Sequence, residues 1–352
     1  MTGAGQLLAR CRAGTGRFFA LAVMTAVTAF VPHGARAEQI LPLSKATDQV
    51  VEVQNSFDSL FGTDDRGPRT YSSPFGQQLA AVANASQGRI GVAAMDLTSG
   101  RMVDVLGNQR FPMASTSKIA IAATFLDGVD KGKWSLTSEF PLMVPVGSAP
   151  FSSAVAPVRA GEYMPASRLI ELMITRSNNY ATDALLKVVG GPKAVNAWVE
   201  RAGIDDWHID RDIATLVRDD GAIDPARVVD TRDSATPYAM VRLLSGIYQG
   251  KWLSPSSRGV ILGAMSRCVT GKRRIPAGLP EGASVSHKTG SLNNTSSDVG
   301  IIQTPDGHVF AVAIYVTGQG GRPGREARIA SIARTIYNGY LSETPVRRAA
   351  LR

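Results

Sequence analysis

The order of the periodic segments constrains this chain more than any other feature. Two strand-like runs, Ile90 to Leu97 and Met102 to Leu106, meet at Thr98-Ser99-Gly100, a hairpin turn. About 180 residues dominated by helical patterns follow. Strand character then returns at Ser284–Thr289, Val299–Gln303 and Val309–Val316, with Thr304-Pro305-Asp306-Gly307 turning between the last two. The spacing predicts a helix over Phe75–Ala85 before the sheet. It predicts another over Arg325–Tyr340 after it, with Ile329, Ile332, Ala333 and Ile336 on one face. Between the strand groups it predicts helices over Ser115–Gly128, Pro165–Arg176, Tyr180–Val189, Pro192–Ala202, Pro237–Tyr248 and Ser256–Cys268. The simplest solution is an α/β (α+β) fold, an antiparallel five-stranded sheet flanked by the terminal helices. An all-helical lobe is inserted between its second and third strands. Residues 72–345 then form one catalytic domain, with an α/β lobe of 72–114 and 269–345 and a helical lobe of 115–268. The cleft between the lobes is the natural place for a site.

The N-terminus reads as an export leader. Arg10, Arg12 and Arg17 precede an apolar run from Phe18 to Val31, and Ala35-Arg36-Ala37 has the small-x-small form of a cleavage site. An uncleaved anchor is the alternative, but the run is short for a bilayer span. Residues 38–71 read as an extension or linker, with a short helix over Val50–Phe61. Removing residues 1–37 takes away Arg10, Arg12, Arg17 and Arg36 and lowers the formal charge from +9 to +5. That charge is dispersed, and Lys272-Arg273-Arg274 reads as a solvated loop, so no nucleic-acid partner is expected. Cys11 leaves with the leader. Cys268 is then alone, and the surrounding Val260, Ile261, Ala264 and Met265 pattern makes it a buried structural thiol. The expected product is an exported, periplasmic or secreted monomer with a small-molecule substrate and no membrane span after cleavage.

Three short boxes carry chemistry. Ser115-Thr116-Ser117-Lys118 opens an apolar helix, so Lys118 lies one turn beyond Ser115 on the same face. A serine hydroxyl needs a base, and a lysine amine serves when burial or neighbouring charge lowers its pKa. Ser177-Asn178-Asn179 lies at a junction of two helices, where a second hydroxyl can relay a proton and an amide can orient a substrate. Lys288-Thr289-Gly290 ends a strand, where a cation and a hydroxyl can hold an anionic group and glycine permits close approach. Each box alone also fits an ordinary cap, junction or surface turn. Together and in this order they resemble the Ser-x-x-Lys, Ser-Asp-Asn and Lys-Thr-Gly set of class A β-lactamases and penicillin-binding proteins. The three histidines beyond the leader, His208, His287 and His308, lack metal-ligand spacing, and no nucleotide fingerprint or Gly-x-Ser-x-Gly elbow occurs. No metal or cofactor is expected. His287 reads as an exposed strand residue.

The chain resembles the class A β-lactamase family over about residues 74–342. The resemblance rests on Phe111–Lys118, Met173–Ala181, Leu185-Leu186 before Gly190-Gly191, Arg232–Pro237, Ala277–Pro280 and His287–Gly290, followed by Gly300–Ile302 and Ala313–Tyr315. It implies Ser115 as nucleophile, Lys118 as its base and Ser177 as proton donor to the leaving nitrogen. It also implies Asn179 on the substrate amide, Lys288, Thr289 and Gly290 at the substrate carboxylate, and the N–H groups of Ser115 and Ser291 as the oxyanion hole.

Three departures stand out. The second box has Asn178 where the family usually carries an acid. The family's additional arginine is missing near Val299, with Arg325 and Arg328 as weak substitutes. The family's water-activating Glu, carried on an Ω-shaped loop, is absent, since no Glu lies between Glu200 and Glu281. Arg211 and Asp233 would close the neck of that loop as an ion pair. Counting from Ile209-Asp210-Arg211 puts Ile213 at the Glu position, and counting back from Arg232-Asp233 puts Asp220 there, because the loop is seven residues longer. Asp212, Asp219 and Asp224 are further candidates. The functions in play are β-lactam hydrolysis through an acyl-enzyme, a penicillin-binding D,D-peptidase or esterase, and a cell-envelope sensor that keeps the cleft without turnover.

Overall fold

The computed structural model describes residues 71–343. The leader, the 38–70 extension and the Val50–Phe61 helix lie outside them. The five-stranded sheet has the order β2 (Met102–Val105), β1 (Ile90–Asp96), β10 (Val309–Thr317), β9 (Thr295–Gln303), β8 (Ser284–Leu292), with every adjacent pair antiparallel. Period-2 alternation sorts its side chains. Val92, Ala94, Val312, Ile314 and Val316 face the helices α1 (Pro74–Val82) and α10 (Arg322–Glu343), where Ile329, Ile332, Ala333 and Ile336 are buried as the spacing predicts. Ala93, Ala311, Ala313 and Tyr315 face the other lobe.

That lobe is built from α2 (Lys118–Asp130), α3 (Ala166–Thr175), α4 (Asn179–Val189), α5 (Pro192–Arg201), the one-and-a-half-turn α6 (Ile213–Arg218), α7 (Pro237–Gln249) and α8 (Pro255–Ser266). The sheet lobe adds the short α9 (Ile275–Gly278). Thr236 caps α7 by accepting from Ala239 N at 3.1 Å, Pro237 starts it, and Gly250 ends it at φ 74°. The lobe is not purely helical. A two-stranded hairpin, β4 (Glu139–Pro145) and β5 (Val158–Pro165), covers part of it, and the mostly exposed or half-exposed positions of its strands give no apolar alternation to read.

A small three-stranded sheet sets up the site. β3 (Phe111–Pro112) pairs with β7 (Ser234–Ala235), which pairs with β6 (Trp207–His208). β3 leads into Ser115, β6 into Arg211, and β7 leaves Asp233. The segment before the first box and both ends of the long loop are therefore fastened to one another.

Candidate active site

Ser115 lies in a 3-10 turn, Ala114–Ser117, rather than in the first turn of the helix, which begins at Lys118. Ala114 is held at φ 48°, a conformation that L residues rarely adopt and that costs of order 1–3 kcal/mol. The turn is held by hydroxyl donors: Thr116 Oγ1 to Met113 O at 2.8 Å and Ser117 Oγ to Ala114 O at 2.9 Å. Met113 N donates to Asp233 O at 3.0 Å, joining the turn to the loop neck.

The second and third boxes meet the first around one hydroxyl. Lys118 Nζ donates to Ser177 O at 2.8 Å, Ser177 Oγ at 3.3 Å and Asn179 Oδ1 at 2.7 Å. Lys288 Nζ donates to the same Ser177 Oγ at 2.9 Å and to Thr289 O at 2.9 Å. Both lysines are 0% exposed. Burial, then the charge of Lys288, pushes Lys118 well below the usual lysine range, and burial brings Lys288 down to about 8. Ser177 is itself left-handed at φ 57°, between α3 and α4. Asn178 caps α4, accepting from Ala181 N at 2.8 Å, so the amide in the middle of that box does structural work without charge.

β8 lies directly on the nucleophile turn. A Cβ on Gly290 would fall 2.6 Å from Met113 O and 3.2 Å from Ala114 Cβ, so only glycine permits this approach. Thr289 Oγ1 bonds Thr270 Oγ1 at 2.6 Å, and Ser291 is exposed at the strand end.

Four sequence expectations change here. Arg274 is not part of a solvated loop. It is 1% exposed and donates to Gly290 O and Ser297 O, each at 2.7 Å, and to Ser291 Oγ at 2.6 Å, with Glu326 as counter-charge at 3.3 Å. Arg274 thus stands behind β8, whereas Arg325 binds Ser296, Asn294 and the carbonyls of Gly318 and Gly320, and Arg328 reaches Val82 O. His287 is 3% exposed and not a surface residue: its Nδ1 bonds Asp298 Oδ1 at 2.8 Å, a partner brought alongside by the β8–β9 register. That carboxylate raises His287 to about 10 against the opposing effect of burial. Cys268 stands two residues beyond α8, half-buried rather than packed in a helix. Its Sγ lies 3.2 Å from Thr270 Oγ1, and burial is overcome by the His287 hydrogen bond and charge, bringing the thiol down to about 7.

The fourth concerns Asp220. Its carboxylate is exposed and accepts from Asn293 N at 2.9 and 3.0 Å, pinning the loop to the β8–β9 turn. The neck is closed as the spacing anticipates. Arg211 Nε donates to Asp233 Oδ2 at 2.6 Å, while Asp233 Oδ1 accepts from the N–H groups of Asp210 and Arg211. Asp212 caps α6 through Thr215 N, Asp219 holds Arg218 and Phe151 N, and Asp224 holds Asn294 and Ala226 N. Ile213 is buried. A cavity of about 50 Å³ beneath the loop is lined by Arg211, Asp219, Asp220, Asp230 and Arg232, and Ser115 is not in its wall.

One carboxylate escaped the sequence reading. Asp183, on α4, is 5% exposed and accepts from Ile213 N at 2.7 Å and Ala214 N at 2.8 Å. Burial raises it to about 7, with the charge of Asp212 adding to that effect and the two N–H groups and Lys118 opposing it. Among the described residues no His, Cys, Asp or Glu group is arranged to hold a metal, and no helix is long and apolar enough to cross a membrane.

The beta-lactamase enzyme family model matches residues 74–340. Beta-lactamase CTX-M-6 of Salmonella typhimurium is 28% identical over 75% of this chain and 88% of its own, and VEB-1 of Pseudomonas aeruginosa is 27% identical over 76% and 90%. Among solved structures, a beta-lactamase from Chitinophaga pinensis is 29% identical with a TM-score of 0.66, covering 76% of this chain and 100% of that one. The last common ancestor of Gram-negative bacteria class A beta-lactamase is 33% identical, also at 0.66, over 76% and 100%.

Proposed function

We propose, for a chain that belongs to the beta-lactamase enzyme family, that it hydrolyses the β-lactam amide through an ester on Ser115. The observation that carries this reading is the convergence on Ser177 Oγ of the amino groups of two fully buried lysines, one of them Lys118, three residues after Ser115. In its neutral form Lys118 removes the Ser115 proton as Oγ attacks the carbonyl carbon. The N–H groups of Ser115 and Ser291 receive the oxyanion, an arrangement in which one donor is worth about 10²–10³ in rate. The C–N bond then breaks, and the nitrogen takes its proton from Ser177, which Lys118 and Lys288 resupply. Lys288 and Thr289 bind the substrate carboxylate. Arg274, beneath the same strand, fixes Gly290 and Ser291 and adds positive field. Asn179 orients the substrate amide.

The leader-like residues 1–37 support an exported, periplasmic enzyme that meets β-lactams outside the cytoplasm. A second reading, a penicillin-binding D,D-peptidase or sensor with long-lived acylation, is favoured by one observation: no Glu lies between Glu200 and Glu281, the stretch that holds the loop. Nitrocefin turnover by the purified protein and by Ser115→Ala decides between them. Turnover lost in the variant supports hydrolysis. A lasting, stoichiometric Ser115 adduct without turnover supports the second reading, and neither signal refutes both.

A further inference from the structure

The loop that should deliver an acid to this site delivers none. Its aspartates 212, 219, 220, 224 and 230 are each committed to capping, to an arginine, or to the β8–β9 turn. Asp183 stands elsewhere, on the helix that already holds the base. It lies four residues after Asn179 on α4, hence on the same face, with about 5–6 Å between their Cβ atoms. Asn179 Oδ1 is bound to Lys118 Nζ at 2.7 Å. The buried Asp183 carboxylate acts electrostatically on Lys118, and Lys118 acts on it. Each of its oxygens accepts one backbone N–H from the start of α6, so the carboxylate is fixed in place with further lone pairs on both oxygens.

We propose that Asp183 takes over the role of the missing loop acid by acting through Lys118, as a positioning residue that stabilises the Lys118 ammonium formed in both half-reactions. The proposal rests on the acyl-enzyme reading above. In deacylation, water attacks the ester carbonyl carbon and gives its proton to the neutral Lys118 amine. The carbonyl–Oγ bond then breaks, and Ser115 Oγ takes that proton back. An ionised Asp183 lowers the energy of the intermediate in which Lys118 carries the proton, and a protonated Asp183 does not. The charged groups facing this pair are Lys288 from β8, whose charge disfavours the ammonium, and Asp212 ahead of α6, whose charge disfavours ionisation of Asp183. Deacylation therefore rises with pH as Asp183 ionises, through about pH 7.

The test follows the Ser115 acyl adduct by intact mass after mixing with benzylpenicillin, from pH 5 to 9, in the wild type, Asp183→Asn, Asp183→Glu and Ser115→Ala. The wild type is expected to show an acid limb near pH 7. Asp183→Asn is expected to form the adduct and hold it about 10²-fold longer or more, in line with the loss of acid–base assistance, with the limb displaced or gone. Asp183→Glu is expected to keep a limb. A wild-type deacylation rate flat across pH 7 overturns the proposal even if Asp183→Asn fails to fold. So does an Asp183→Asn variant with wild-type lifetime and limb, which would leave the residue only packing the loop. Absence of any Ser115-dependent adduct in the wild type is a different result: it ends the acyl-enzyme reading itself.

Discussion

Replacing Gly290 with alanine adds one methyl group at the point where the third box touches the first. The added Cβ would sit 2.4 Å from Ser297 Oγ, 2.6 Å from Met113 O and 3.2 Å from Ala114 Cβ. The hydroxyl contact can be relieved by a rotamer change. The carbonyl contact cannot, because Met113 O is committed to Thr116 N at 3.1 Å and Thr116 Oγ1 at 2.8 Å, and those bonds hold the Ser115 turn. β8 must therefore move off the turn, carrying the Ser291 N–H with it. Overpacking of this kind costs about 1–3 kcal/mol. Loss of one oxyanion donor costs about 10²–10³ in kcat. Urea unfolding should show the first change and nitrocefin kcat the second, with KM less affected. Gly259→Ala is the control, since Gly259 is an exposed helical residue in α8 with nothing within 4 Å of an added Cβ. It should gain about 0.5–1 kcal/mol with turnover unchanged. If Gly290→Ala retains kcat within three-fold while losing stability, the close approach serves packing and not chemistry. If it changes neither, β8 does not abut the turn as described.

Three further outcomes follow from particular contacts. Arg274→Met should lose about 3–5 kcal/mol in urea unfolding, because it leaves Glu326 and the Gly290 and Ser297 carbonyls without their buried donor. Cys268 should react with an aromatic disulfide reagent at a rate that rises with pH through about 7, since the thiolate is the reactive form, and His287→Asn should move that midpoint up towards the ordinary thiol range. Asp220→Ala should change nitrocefin turnover by no more than a few-fold, because that exposed carboxylate holds Asn293 N; a loss of 10²-fold or more would return it to the chemistry.

Those outcomes turn on residues that differ in how far a sequence exposes them. The sheet was legible because β1 and β10 are short apolar runs bounded by turn residues and α10 repeats at helical spacing. The three boxes were legible because each is contiguous, with its chemistry within a few positions. β9 begins at Thr295, four residues before the apolar run, because Thr295, Ser296, Ser297 and Asp298 are buried by small size and hydrogen bonding and not by hydrophobicity. His287 and Asp298 meet only through strand register, with Thr289 opposite Asp298 and His287 opposite Gly300. Gly300 leaves room for that imidazole: a Cβ there would fall 2.8 Å from His287 Cβ. Arg274 sat in a run of three cations, and nothing local separated it from its exposed neighbours Lys272 and Arg273. Asp183 did leave a signal. It falls on the buried stripe of α4, four after Asn179 and three before Leu186, a place where an unpaired acid costs several kcal/mol unless something holds it.

That cost explains how the loop can be long. The Asp183 carboxylate is held by main-chain N–H groups at the start of α6, not by side chains farther along the loop. The neck is closed separately, by Asp233 on Arg211 and on two N–H groups, and by β6 and β7 pairing with each other. Between α6 and the neck, Asp220 and Asp224 clip the chain to Asn293 and Asn294. Three independent fastenings divide the loop. Extra length there adds closure entropy only logarithmically, about 0.6 kcal/mol for each doubling. An acid on α4, one turn from the amide that holds Lys118, keeps its place whatever the length of the loop beyond α6.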